Sequence, residues 1–207
     1  MRRPKHQILG KEFDGMPGII SLAQASDNQR EVNEMINRFH NDQSVAWSVS
    51  GDREHRGMAL YSHSESIARE GRTVHVGLDI NVPVGTALYA PFDCEVITSE
   101  YEAGPGNYGW MCVLRCDDEG QVFYLMFGHL AQDGLAPVGA KLCAGDVFAK
   151  VGDFHENGGY WHHTHLQVLT ERGFKEGWAY KALCRPDEVK DMDALCPSPM
   201  FLVIPIN

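Results

Sequence analysis

Apolar positions recur with two different periods along this chain. Val32, Met35, Ile36 and Phe39 fall at i, i+3, i+4 and i+7, the spacing of one apolar face of an α-helix. Ser26 with Gln29 three residues later reads as a capping box, so the helix opens there and ends near Asn41. Arg30, Glu31, Glu34 and Arg38 lie mostly on the opposite face, where charges are usually only solvated. Ahead of the helix, residues 1–20 carry Pro4, Gly10, Gly15, Pro17 and Gly18 without periodicity, as in an arm that is loose or laid across a domain. Residues 43–56 are polar and irregular.

From there the pattern is that of strands. Met58–Tyr61 and Arg72–Val82 read as short extended pieces. Ala87–Ala90, Glu95–Ser99, Trp110–Cys116, Gln121–Phe127, Val147–Val151 and Thr164–Leu169 are short, β-branched or aromatic, and bounded by Gly, Pro, Asp or Asn. Asp117-Asp118-Glu119-Gly120 separates two apolar runs as a hairpin loop does, and Val122–Phe127 is apolar on both faces, which predicts a central strand with His129 just past its end. The fold class is therefore mainly β: a compact antiparallel core of barrel or sandwich type with an N-terminal helical arm. Residues 1–56 form the arm and 57–170 the β domain. Residues 171–207 form an extension whose prolines, Pro186, Pro197, Pro199 and Pro205, argue against long regular elements and whose apolar end packs on the domain.

Composition narrows the function. A chain of 207 residues with 43% hydrophobic content can bury one sizeable core. Eighteen basic against 28 acidic residues give a net charge of −10, which argues against the clustered cations of a nucleic-acid footprint. No run approaches the ~18 apolar residues of a membrane span, and no apolar h-region follows MRRPKHQILGKEFDG, so no secretory signal is expected; the location is left open between the cytoplasm and export by another route. Six irregularly spaced cysteines read as reduced thiols outside the site. VGTALYAPFDCEV at 84–96 and VGAKLCAGDVFAKVG at 138–152 also resemble strand-turn pieces of lipoyl and biotinyl carriers, but no good lysine for modification sits at a hairpin tip.

Candidate chemistry is concentrated in three segments: HVGLD at 75–79, GHL at 128–130 and HTH at 163–165. Singly, each histidine is more often a satisfied core or surface residue; together in one β domain they form a zinc-type donor set. In a straight strand His75 and Asp79 would share a face but stand about 13 Å apart at ~3.3 Å per residue. A shared metal needs a bend, and Gly77 midway permits one. His163 and His165, two apart, project from one face of a strand; spacing does not decide which of them holds the metal. Two histidines and a carboxylate would leave a fourth position for water, the mark of a catalytic site, and the two remaining histidines could move protons or stabilise an oxyanion.

H-x-x-x-D at 75–79, FGHL at 127–130, HTH followed by Leu166-Gln167-Val168, and VPVGTALYAP after the first pair resemble the lysostaphin-type (LytM-like) zinc metallopeptidases over about residues 72–170. The resemblance implies one zinc ion held by His75, Asp79 and His165, catalytic roles for His163 and His129, and a peptide or peptidoglycan substrate cut in its cross-links or stem peptides. If the substrate is peptidoglycan, the cell envelope joins the open locations. Phe127 and Gln167 stand where that family commonly has Tyr and Glu, and the loop HENGGYWH at 155–162 replaces a shorter Gly-rich approach, which makes it a lining of the groove. Non-catalytic binding modules on the same fold are the rival reading, but they generally lack the ligands that are complete here. A third possibility is a latent enzyme, with the first 70 residues over the groove and His40, Asn41, His55 or His63 as a fourth ligand.

Overall fold

In the computed structural model, which describes residues 3–62, 64–104 and 106–203, the two longest strands are ten residues each and buried along most of their length. In chain order the strands are β1 (Gly18–Ile19), β2 (Ser48–Gly51), β3 (Val74–His75), β4 (Leu78–Asn81), β5 (Ala87–Tyr89), β6 (Cys94–Glu102), β7 (Gly109–Asp118), β8 (Gln121–Leu130), β9 (Lys141–Leu142), β10 (Val147–Lys150), β11 (Thr164–Leu169) and β12 (Leu183–Cys184). Eight of them form one sheet in the order β1-β2-β4-β11-β8-β7-β6-β9, antiparallel except for the β1–β2 edge. The expected mainly antiparallel β fold is what the chain adopts. β10–β5 and β12–β3 make two smaller ribbons.

The sheet is buried on both faces because alternate residues serve two cores. Leu125 and Phe127 of β8 pack with Leu114, Leu166 and Phe148 on one side, while Tyr124 and Met126 pack with Met111, Val113 and Trp178 on the other. The β7–β8 hairpin turns at Glu119 and Gly120, both at positive φ (53° and 88°), as a two-residue turn requires. The segment after β11 supplies α3 (Glu171–Lys175), β12 and α4 (Met192–Leu195), and β12 pairs with β3 at His75 itself.

Helix α1 spans Gln29–Gln43 and buries Val32 and Ile36, as its period requires. Its cap is not the Ser26 box. Asn28 accepts from the backbone N–H of Arg30 and Glu31, while Ser26 instead donates to the Glu31 side chain. Three further readings change. Residues 43–56, expected to be irregular, hold β2, whose Ser48, Val49 and Ser50 are buried against β4. Met58–Tyr61, expected to be extended, is a 3-10 turn leading into α2 (Glu65–Glu70), because Leu60, Tyr61 and Ile67 join the third core with Val32 and Ile36 of α1 and with Tyr160 and Trp161. His129 lies within β8 rather than beyond it, in an irregular stretch between the Cys112↔Phe127 and Trp110↔Leu130 pairs.

Candidate metal centre

Gly77 does what the spacing demanded. It adopts φ 101° between β3 and β4, breaking one strand into two and folding His75 back towards Asp79. A Cβ at this position would run into the Leu166 carbonyl, so the close approach of β11 also requires glycine. β11 lies beside β4 with His165 opposite Asp79, and the two histidines of the HTH segment enter the same space. β8 brings His129 from the far side at φ 62°, a left-handed residue within a strand.

The result is a compact donor triangle. His75 Nε2, Asp79 Oδ1 and His165 Nδ1 are separated by 3.2 Å (His75–Asp79), 3.0 Å (His165–Asp79) and 3.1 Å (His75–His165). A tetrahedral ion held at ~2.0–2.1 Å would separate its ligands by ~3.3 Å. The triangle therefore has the size a zinc ion needs, with the mixed nitrogen and oxygen donors it accepts. The outer nitrogens, His75 Nδ1 and His165 Nε2, are buried without a hydrogen-bond partner among the described residues. Three lone pairs converging in a buried space, with both outer N–H groups orphaned, fit a cation at their centre.

His163 and His129 lie beside the triangle. His163 Nε2 is 3.6 Å from Asp79 Oδ1, and the His129 and His163 rings are 4.3 Å apart. His163 donates from Nδ1 to the Trp161 carbonyl (2.9 Å) and stacks on the Trp161 indole at 4.1 Å and 12°. Trp161 is fixed in turn by Asn81, which accepts from its indole N–H at 2.8 Å. His129 donates from Nδ1 to the Asn157 carbonyl at 2.7 Å. Asn157 and Trp161 belong to the 155–162 loop, which thus orients both histidines.

Charge in this cluster is set by burial. His75, Asp79, His163 and His165 are only 1–2% exposed and His129 5%. Burial pushes His75 down to about 3 and His163 to about 4, and holds His129 well below the usual histidine range, so all three are neutral bases at neutral pH. Burial alone would raise Asp79, but the His75 ring and the Arg56 guanidinium beside it hold its carboxyl well below the usual carboxylate range.

Arg56 is the member that sequence reasoning missed. It is 3% exposed and makes an ion pair with Asp79 at 2.6 Å, reaching the oxygen that the triangle does not use. It comes from a stretch that reads as polar and irregular, and no local pattern marks a lone arginine there. Arg56 and Tyr61 close one side of the site, and Tyr108, Tyr160, Trp161 and Ala182 close others, leaving about 20 Å³. That is room for about one water molecule. Among the described residues, none of the proposed fourth donors lines this chamber: His40 bonds to Ser48, and His55 and Asn41 are exposed. His63 lies outside the described residues. Gln167, a departure in the sequence pattern, is buried and accepts from the Tyr108 hydroxyl while donating to the Lys181 carbonyl.

No curated protein matches the chain. Among solved structures it is similar to the catalytic domain of the antimicrobial peptidase lysostaphin from Staphylococcus simulans, at 17% identity over 56% of this chain and 77% of that one, with a TM-score of 0.42. It is also similar to a mutant catalytic domain of the prophage-encoded M23 protein EnpA from Enterococcus faecalis, at 22% identity over 55% and 77% of the two chains, with a TM-score of 0.40. Residues 73–175, which hold all five residues of the cluster, match the model of peptidase family M23.

Proposed function

The segment 73–175 belongs to peptidase family M23, and from that premise we propose that this chain is a zinc-dependent endopeptidase that hydrolyses peptide bonds in peptidoglycan cross-links or stem peptides. The donor triangle of His75, Asp79 and His165 is the observation that carries this reading. Zinc bound there would supply a Lewis acid and a water whose pKa falls towards ~7.

The chain's own residues supply the rest. His163 and His129 each commit Nδ1–H to a backbone carbonyl, which leaves Nε2 as the basic atom on each ring. His163 Nε2 is aimed at the ligand cluster and takes the proton of the attacking water. His129 stands 4.3 Å from it, ring to ring, and is placed to support oxyanion charge or to return a proton to the leaving amine. Trp161 keeps the His163 ring planar to its own indole.

The chamber itself favours a second feature, latency. A space of about 20 Å³ does not admit a peptide, and Tyr61, from outside the family segment, stands in its wall. In this reading the enzyme is closed, and one of the walls formed by Tyr61, Tyr108, Tyr160 and Ala182 has to open before a substrate reaches His163.

Incubating the chain with defined muropeptides and with pentaglycine, with and without a chelator, tests the reaction by mass spectrometry of the products. Cleavage that is abolished by the chelator and by His163→Ala is expected. Undiminished cleavage by His163→Ala contradicts the assignment, and cleavage of neither substrate by the wild-type chain or by Leu60→Ala, which loosens the turn that carries Tyr61, turns the reading towards a binding module.

A further inference from the structure

Arg56 lies outside the segment matched to the family, yet touches the centre of the site. We propose that Arg56 is a positioning residue for the metal centre, holding the Asp79 carboxylate so that Oδ1 alone faces His75 and His165. This rests on reading His75, Asp79 and His165 as ligands.

The two carboxylate oxygens of Asp79 have separate partners. Oδ2 accepts from Arg56 Nη2 at 2.6 Å, while Oδ1 lies 3.2 Å from His75 Nε2 and 3.0 Å from His165 Nδ1. The terminal torsion of an aspartate is broad, so without a fixed partner on Oδ2 the carboxylate would sample orientations that open the triangle. Arg56 is itself held at three points. Nη2 engages Asp79, Nη1 donates to the Tyr61 hydroxyl at 2.9 Å, and Nε donates to Glu54 Oε2 at 3.0 Å. Glu54 is anchored through its other oxygen, which accepts from Ser21 Oγ and from the Leu22 N–H.

The backbone places this clamp on the same unit as a ligand. Residues 53–56 run antiparallel to 73–75: the Arg53 N–H donates to the His75 carbonyl, the His75 N–H to the Glu54 carbonyl and the Arg56 N–H to the Thr73 carbonyl. Arg56 and His75 therefore move together, and both are fixed relative to Asp79.

Two effects of opposite sign decide what the loss of Arg56 does. A cation beside a metal ligand repels the ion, so removing it strengthens binding; a clamp on the ligand orients it, so removing it weakens binding. Glu54 sits on the far side of the guanidinium and offsets its charge, which leaves the orienting effect dominant. Losing such an outer partner of a ligand typically costs ~10–100-fold in metal affinity.

The test measures zinc dissociation constants by chelator competition, with thermal unfolding of the metal-free proteins as a check of folding. Arg56→Met is expected to bind zinc ~10–100-fold more weakly, and Arg56→Lys, which keeps one donor for Asp79, to regain at least half of that loss on a logarithmic scale. A folded Arg56→Met that binds zinc as tightly as wild type or more tightly overturns the proposal, and so does no regain in Arg56→Lys. If Arg56→Met does not fold, Tyr61→Phe and Glu54→Gln loosen the clamp while leaving Arg56 in place; a several-fold weaker affinity in both supports the proposal, and unchanged affinity in both overturns it. A wild-type chain that takes up no zinc overturns the ligand reading instead, so the two failures are distinct.

Discussion

Burial, with the Arg56 guanidinium nearby, keeps His75 and His163 neutral in the fold well below the pH at which a free imidazole protonates, and this has a consequence for stability in the absence of metal. Their pKa values fall to about 3 and about 4 from an ordinary 6.5. Between those values the unfolded chain binds protons that the folded chain does not, so their contribution is present above pH 6.5 and is lost as pH falls towards 4. Each buried imidazole removes ~1.4 kcal/mol per pH unit across that window. The metal-free protein should therefore lose thermal stability steeply below pH 6.5, and His163→Gln should flatten the slope; equal slopes in the two proteins contradict the neutral, buried state of His163. At this scale the sequence is informative for residues whose chemistry is rare: four histidines and an aspartate in three short motifs point to one site before any fold is known. It is silent on Arg56, because an arginine is ordinary on a surface and only the fold buries its guanidinium against Asp79.

Among the elements, the broken strand β3–β4 does most to assemble the site. Gly77 combines a left-handed backbone with a close approach to the Leu166 carbonyl. Gly77→Ala should cost ~1–3 kcal/mol from backbone strain alone, with the clash adding to it, and should lower zinc occupancy because His75 and Asp79 can no longer fold together. Denaturant unfolding and metal analysis check both; a variant with unchanged stability and full zinc contradicts the role given to the kink. The strands were legible because their apolar runs and their punctuation by Gly, Asp and Asn agree: β11 falls on Thr164–Leu169, as read. Met58–Tyr61 was misread because a short apolar run has no period of its own, and packing of Leu60 and Tyr61 into the α1 core decides its shape. β2 was missed because Ser48, Ser50 and Gly51 look like loop residues, although the serines are buried and hydrogen-bonded to Asn81. The cap at Asn28 was missed because Ser26 and Gln29 satisfy the same pattern two residues early.

In the whole molecule, Arg56 and Tyr61, from ahead of the family segment, meet that segment at the metal centre. Leu60 is fully buried and anchors the 58–61 turn without lining the chamber. If closure limits the reaction, Leu60→Ala should raise hydrolysis of a small peptide severalfold, even though truncating a buried leucine costs ~2–5 kcal/mol of stability; a rate that falls in step with stability contradicts latency. The walls of the chamber could not be read from the chain, since they depend on which distant segments meet, here Tyr61, Tyr108, Tyr160 and Ala182. The most direct test is the zinc content of purified, reconstituted protein by native mass spectrometry. One zinc per chain is predicted for wild type and for His163→Ala, and little or none for Asp79→Ala and His165→Ala. A full equivalent retained by Asp79→Ala, or none taken up by wild type, would contradict the assignment of the centre.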